Sequence, residues 1–131
     1  MVPRAVESAR APAPVGAYSQ GVIADGVLYC SGQVPLDPET GELVDGGPAE
    51  QARRCLESLD AVCREAEARL DDAARLTVYL TDLDRFSEVN GVCAEFLSEP
   101  YPARITVGVA ALPKGAMVEI DAIIPLGGRA E

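Results

Sequence analysis

The chain has 131 residues, of which 48% are apolar, and its 11 basic and 21 acidic side chains leave a net charge of −10. This length suits one domain with a sizeable core, and the apolar content excludes a chain that is disordered throughout. Since no uncharged apolar run approaches the roughly 18 residues of a membrane-spanning helix, we expect a cytoplasmic protein with no membrane partner. The acidic balance disfavours nucleic acid as a partner, because phosphates are bound mainly by Lys and Arg.

The chain contains four cysteines and no histidine. Without histidine, a general acid or base has to be a carboxylate, Tyr, Cys, Lys or an ordered water, which excludes Ser-His, Cys-His and metal-His mechanisms. Cys30, Cys55, Cys63 and Cys93 lack both CxxC spacing and a histidine that could complete a zinc site. We therefore expect reduced, buried thiols rather than a metal site or a disulfide.

The N-terminal half of the chain contains a predicted arm, two strands, a loop and a helix. Residues 1–14 are rich in Ala, Pro and Arg without periodicity, and we expect a flexible arm before a single domain over 15–131. Strand-like runs at 17–24 and 27–33 are joined by Asp25-Gly26, which is typical of a type I′ hairpin turn. Turn-forming residues fill 34–47. Apolar residues at steps of three and four from 52 to 66 then predict a helix that Pro48 opens.

The C-terminal half adds a strand, a helix and a predicted hairpin. Residues 76–81 alternate as a strand, residues 86–97 have one apolar helical face, and Pro100 and Pro102 end that helix. The stretch 101–124 is predicted to form a β-hairpin, with its turn at Leu112–Gly115. One row of the hairpin is polar and includes Arg104 and Glu119, which indicates that something polar is bound there.

These elements predict an α+β domain of order ββαβαββ, with a single sheet and two helices on one face. Two helices cover only one face of such a sheet. The apolar residues considered for the uncovered face are Ile23, Val27, Tyr29, Tyr79, Met117 and Ile123. Because an apolar face is unfavourable in water, we expect it to pack on copies of the same chain.

Short motifs along the chain are similar to those of one known family. They are Gly16-Ala-Tyr-Ser-Gln20, Cys30-Ser-Gly-Gln-Val-Pro-Leu-Asp-Pro38, Thr77-Val-Tyr-Leu-Thr-Asp82, Pro102-Ala-Arg104, Leu112-Pro-Lys-Gly-Ala116 and Val118-Glu-Ile120. In this order and spacing they resemble the Rid family, the reactive intermediate (imine/enamine) deaminases. The resemblance implies a chorismate-mutase-like fold, a homotrimer with sites between subunits, and no cofactor. The implied reaction is hydrolysis of 2-imino acids or their enamines, such as 2-aminoacrylate or 2-iminobutyrate, to 2-keto acids and ammonia.

The resemblance also implies roles for individual residues. Arg104 is the expected carboxylate-binding residue, and Glu119 is the expected acid that orients and deprotonates water. Tyr18 is expected to supply a hydroxyl and an apolar wall. The remaining expected site-lining residues are Ser31, Gly32 and Asn90, together with Ile105. At position 105 small polar residues or Cys are frequent in the family, so Ile105 bears on the preferred substrate.

Other interpretations stay open. By pattern alone, Arg104 and Glu119 are also compatible with surface charges, Tyr18 with a core residue and Asn90 with a solvated helix position. The alternative functions are a non-catalytic metabolite-binding or chaperone-like trimer, an endoribonuclease, which the acidic composition disfavours, and imine hydrolysis within one biosynthetic pathway. The presence of both Arg104 and Glu119 favours catalysis.

Overall fold

A computed structural model describes residues 2–127. Its strands are β1 (Arg4–Val6), β2 (Gly21–Ala24), β3 (Val27–Gln33), β4 (Arg75–Leu80), β5 (Ala103–Gly108) and β6 (Val118–Pro125), and its helices are α1 (Pro48–Glu65) and α2 (Phe86–Phe96). Three 3₁₀ turns lie at Leu70–Asp72, Leu83–Arg85 and Pro113–Gly115. Neither described helix combines the length and the apolar character that crossing a membrane requires.

The six strands form one mixed sheet in the order β1-β2-β3-β6-β4-β5. Neighbouring strands are antiparallel except β4 and β5, which are parallel. Both helices pack against the same face of the sheet, where their apolar sides join the central strands in one buried core. The predicted α+β fold and its ββαβαββ order are confirmed, with β1 added at the start.

The predicted hairpin of residues 101–124 is wrong. Strand β5 pairs with β4 alone, whereas β6 lies between β3 and β4. Alternation identified both strands, but it carries no information about which strands pair. Strand β6, in which every second residue is buried, lies inside the sheet, and the more exposed β5 lies at an edge. Residues 109–117 are long enough to carry the chain past β4 between them.

The first residues differ from the loose arm expected over 1–14. Arg4–Val6 forms an edge strand on β2, and Val6 is buried. Further along, the buried side chain of Gln20 holds the segment that follows β1. Its Oε1 accepts a hydrogen bond from Ser8 N at 2.6 Å, and its Nε2 lies 3.1 Å from Ser8 O, 3.3 Å from Ala11 O and 2.8 Å from Pro12 O. The buried side-chain amide of Gln20 thus orders residues 8–12, whose sequence shows neither helical nor strand periodicity.

Local predictions hold in the turn after β2 and in α1. Asp25 and Gly26 both have positive φ, 50° and 75°, as a type I′ turn requires. Pro48 is the first residue of α1, and Glu50 accepts a hydrogen bond from Gly47 N at 2.9 Å. All four cysteines are free and buried, as expected.

Within residues 2–127 no helix covers the opposite face of the sheet, which is called the open face below. Its exposed apolar residues include Tyr29, Ile105 and Val107. Two candidates for this face were assigned wrongly, because Ile23 and Met117 pack against the core on the helix side. For Ile23 the reason is register, since it pairs with the fully buried Leu28.

Candidate active site

Glu119 lies on the open face, in the row of β6 that alternates with the buried residues Val118 and Ile120. Its carboxylate rests against the backbone of Gly32, where β3 has an irregular register. A Cβ built on Gly32 would overlap Glu119 Oε2 and lie 2.9 Å from Glu119 Cδ. Gly32 is therefore the residue that admits the carboxylate at this place.

The surroundings of Glu119 favour its protonated form. Burial raises the pKa of the Glu119 carboxyl, and the charge of Asp121 raises it further. Burial removes water from the anion, and Asp121 lies two residues along the same face of the same strand. Such a carboxyl is a stronger base, when ionised, than one in bulk water.

Glu119 borders a cavity of about 400 Å³. Its walls come from the N-terminal segment, β3 with the loop after it, and the turn before β6, and the lining residues used below are Pro12, Tyr18, Ser31, Gly32 and Lys114. Ser31 Oγ donates a hydrogen bond to Ser19 O at 2.6 Å, and Ser31 N donates to Gln20 O at 2.9 Å. These bonds attach the wall that carries Tyr18 to the strand that carries Gly32.

Arg104 has different neighbours. It projects from the edge strand β5 towards α2, where Nη1 donates a hydrogen bond to Asn90 Oδ1 at 2.8 Å. The guanidinium carbon lies 4.8 Å from the centroid of the Phe86 ring. An amide and a ring face hold the planar cation while other N–H groups point to solvent. Arg104 and Asn90 border a second cavity, of about 320 Å³, which Cys93, Leu97 and Tyr101 also line.

Arg104 and Glu119 lie on opposite faces of the sheet. Arg104 pairs with the buried Leu76 of β4, and Glu119 pairs with Tyr79 of the same strand. Because Leu76 and Tyr79 are an odd number of residues apart, their side chains and those of their partners lie on opposite faces. Arg104 and Glu119 are two strand spacings apart, about 9.5 Å, and about 10 Å apart along the strands, so their Cα atoms are roughly 14 Å apart. The hydrogen bonds and ion pairs of residues 2–127 include none between them. The chain thus carries two separate clusters, called here the carboxylate half (Glu119) and the arginine half (Arg104), and together the half-sites.

Known proteins resemble this chain over nearly its whole length. A family profile described as Endoribonuclease L-PSP matches residues 8–125. The 2-iminobutanoate/2-iminopropanoate deaminase of Bos taurus is 41% identical over 127 residues, which are 97% of this chain and 93% of that protein. The crystal structure of RidA from an Antarctic Psychrobacter is 46% identical with a TM-score of 0.90, and the match covers 93% of this chain and 98% of that one. The chain belongs to the Rid family.

A further Rid structure was solved with a ligand. Escherichia coli TdcF with bound serine is 37% identical, with a TM-score of 0.87, and the match covers 93% of this chain and 98% of that chain.

The residues expected from the Rid resemblance fall into the two half-sites with one exception. Tyr18, Ser31, Gly32 and Glu119 line one cavity, and Asn90 and Arg104 line the other. Ile105 lines neither of them: it lies on the open face, paired with Thr77, with 42% of its surface exposed.

Sequence reasoning missed two contributors in this Rid protein. Phe86, which the sequence placed on the apolar face of the second helix without a role in the site, lies against the Arg104 guanidinium. Lys114, treated as part of a turn, lines the cavity of Glu119 and has a positive φ of 60°. A cation in a Pro-Lys-Gly turn directly before a strand that carries a site carboxylate is a signal that could have identified Lys114.

Proposed function

We propose that this protein hydrolyses 2-imino acids and their enamine tautomers to 2-keto acids and ammonia. The observation that carries the proposal is the pair of half-sites, one presenting a braced guanidinium and the other a desolvated carboxylate beside a cavity. The name of the bovine relative, 2-iminobutanoate/2-iminopropanoate deaminase, supports this substrate class.

The arginine half suits the carboxylate of the substrate. A guanidinium binds a carboxylate through two parallel N–H···O bonds and stays charged at every physiological pH. Asn90 uses one N–H of Arg104 and thereby fixes the orientation of the planar group. The bound serine of TdcF is likewise a small molecule with a carboxylate, which is consistent with such a ligand.

The carboxylate half suits the attack of water on the imine carbon. Glu119 accepts a proton from water as the water oxygen adds to the C=N carbon, and it passes this proton to the nitrogen to give a carbinolamine. Transfer of the carbinolamine hydroxyl proton to the nitrogen, with cleavage of the C–N bond, then releases ammonia and the keto acid and leaves Glu119 ionised. Because an imine is already electrophilic, positioning and modest proton transfer suffice, and a site with few residues is adequate.

The two halves come together between neighbouring protomers in this proposal. A single protomer separates Arg104 and Glu119 across the sheet, so one small substrate reaches both only if a second copy supplies one of them. The exposed apolar residues of the open face support such packing. We therefore include in the proposal a cytoplasmic homotrimer with three intersubunit sites, in which β1 belongs to the single domain of each protomer.

The description of the matching family profile names a second candidate activity, cleavage of RNA. A net charge of −10 supplies little electrostatic attraction for a phosphate backbone, so we rank this candidate below deamination. An RNA-cleaving activity that co-purifies with the protein and is lost when Arg104 or Glu119 is substituted would reverse that ranking.

The direct test generates 2-aminoacrylate or 2-iminobutyrate in situ with a dehydratase and follows release of the keto acid. Wild-type protein should accelerate release above the spontaneous rate, and Arg104→Ala should not. Keto-acid binding without acceleration would contradict deamination and favour the non-catalytic, metabolite-binding alternative. Comparing several imino acids would then show whether the role is general or dedicated to one pathway.

A further inference from the structure

A second polar cluster lies beside Glu119 on the open face. Tyr79 of β4 pairs directly with Glu119 of β6, and its side chain extends diagonally to the next residue of the same row. There the Tyr79 hydroxyl donates a hydrogen bond to Asp121 Oδ2 at 2.8 Å. Two carboxylates occupy successive positions of one row, and the Tyr79 phenol holds Asp121.

We propose that Tyr79 and Asp121 form a positioning pair for Glu119, in which the phenol fixes the Asp121 carboxylate so that Glu119 works beside a stationary negative charge. The proposal rests on the proposed function, because it assigns Glu119 a proton to accept. Neither residue of the pair lines the cavity that Glu119 borders.

The protonation states on the open face support this arrangement. Burial and the hydrogen bond to Asp121 raise the pKa of the Tyr79 hydroxyl, which therefore stays a neutral donor at physiological pH. A neutral donor leaves the charge of Asp121 in place. That charge and burial together raise the pKa of Glu119, so the carboxylate binds a proton from attacking water more strongly.

The other titratable groups around Glu119 do not provide this charge. Tyr18 and Lys114 border the same cavity from the N-terminal segment and the turn before β6, and Cys55 of α1 lies beneath β6 with Sγ 3.8 Å from Val118 O. Burial and the charge of Glu119 hold the Cys55 thiol protonated, with its pKa above the usual range. Asp121 is the carboxylate whose charge acts on Glu119 among these groups.

The test measures the titration of Glu119 itself, apart from activity. Protein labelled with ¹³C at the glutamate carboxyl carbon is titrated by NMR, with the Glu119 signal assigned by its loss in Glu119→Gln. The variants are Asp121→Asn, which removes the charge, Tyr79→Phe, which removes the donor, and Glu65→Gln. Glu65 is an exposed residue at the end of α1 and gives a control that also removes one negative charge.

Asp121→Asn should move the Glu119 titration midpoint and the acidic limb of the kcat/KM profile to lower pH. At one pH unit below the midpoint of the wild-type acidic limb, we compare the fraction of plateau kcat/KM that each protein retains. This fraction should be about two to five times larger in Asp121→Asn than in wild type. Tyr79→Phe should produce a smaller shift in the same direction, because Asp121 is then free to move, and Glu65→Gln should produce none.

An unchanged Glu119 midpoint in Asp121→Asn would overturn the positioning pair while leaving deamination intact. If that variant fails to assemble, an unchanged midpoint in Tyr79→Phe would overturn it equally. Full deaminase activity in Glu119→Gln would instead refute the assignment of Glu119 as base, and the NMR midpoints would still decide whether the pair acts on it.

Discussion

Arg104 is oriented before any ligand arrives, because Asn90 binds one side of the guanidinium and the Phe86 ring supports its face. Glu119 is placed differently, by the missing side chain of Gly32 and by burial. Both are strand residues, so their backbones are held by the sheet, and what each can bind depends on a few neighbouring side chains.

Replacing Arg104 should remove the carboxylate contact and leave the fold unchanged. We expect Arg104→Ala to lower kcat/KM for 2-iminobutyrate by about 10²–10⁴, since a charge-assisted bidentate contact is lost. Arg104→Lys should recover only part of the loss, because an ammonium cannot reproduce the planar fork. Arg53→Ala is the control, as Arg53 is a half-exposed helix residue paired with Glu95. Full activity in a folded Arg104→Ala protein would disprove the role of Arg104.

Gly32→Ala should displace the Glu119 carboxylate, because the added Cβ would occupy its position. We expect kcat to fall at least about tenfold, because a displaced general base no longer reaches the proton it should accept. Gly91→Ala is the matched control: nothing lies within 4 Å of its added Cβ, so activity should not change. Steady-state kinetics decides the matter, and unchanged kcat in Gly32→Ala would show that Glu119 is not held against this backbone.

Glu119 should also make stability depend on pH. Its pKa in the folded protein is raised above the usual 4.5, so the folded state holds this proton more strongly than the unfolded state does. The stability associated with Glu119 is then complete below pH 4.5 and declines as pH rises through the folded-state pKa. Glu119→Gln should therefore raise the midpoint of thermal unfolding at pH 7, measured at fixed protein concentration, and have little effect at pH 4. An equal effect at both pH values would contradict the raised pKa.

At the scale of elements, the wall of the Glu119 cavity depends on Gln20. Gln20→Leu should leave Ser8 N and the carbonyls of Ala11 and Pro12 without this partner and lower the free energy of unfolding by about 1–3 kcal/mol. Hydrogen exchange should rise in residues 8–12. Gln20→Glu keeps an acceptor for Ser8 N but buries a carboxylate against three carbonyl oxygens, so at neutral pH it should destabilise the protein at least as much. Unchanged exchange in Gln20→Leu would show that other contacts hold the segment.

The elements also show how far the sequence predicts the molecule. Periodicity located both helices and most strands, since it reports which side of an element is buried. The partner of β6 could not be predicted in this way, because pairing depends on contacts between distant parts of the chain. Placing Arg104 and Glu119 in one polar row was wrong for the same reason: Arg104 pairs with Leu76, on the helix side. Motif resemblance, in contrast, pointed to Tyr18, Ser31, Gly32 and Asn90, each of which lines one of the two cavities.

At the scale of the whole molecule, we propose that a second protomer completes each site, because Arg104 and Glu119 lie on opposite faces of the sheet. The open face carries Tyr29, Ile105 and Val107 exposed on the same side as Glu119. Burying such residues between copies is favourable, and Arg104 lies on the edge strand β5, from which it can approach the carboxylate half of a neighbouring protomer in the proposed trimer. Ile105 would then lie at the interface between protomers, where it bears on substrate preference through the shape of the cleft.

The most direct test mixes Arg104→Ala and Glu119→Gln, each inactive alone, by joint unfolding and refolding at equal amounts. Light scattering should show trimers. If each site takes Arg104 from one protomer and Glu119 from the next, about one site in four is intact, half of the arginines times half of the carboxylates, and about a quarter of wild-type activity should return. If both residues served one site within a single protomer, the mixed trimers would stay inactive. Inactive hybrids, or a fully active monomer, would contradict the intersubunit site.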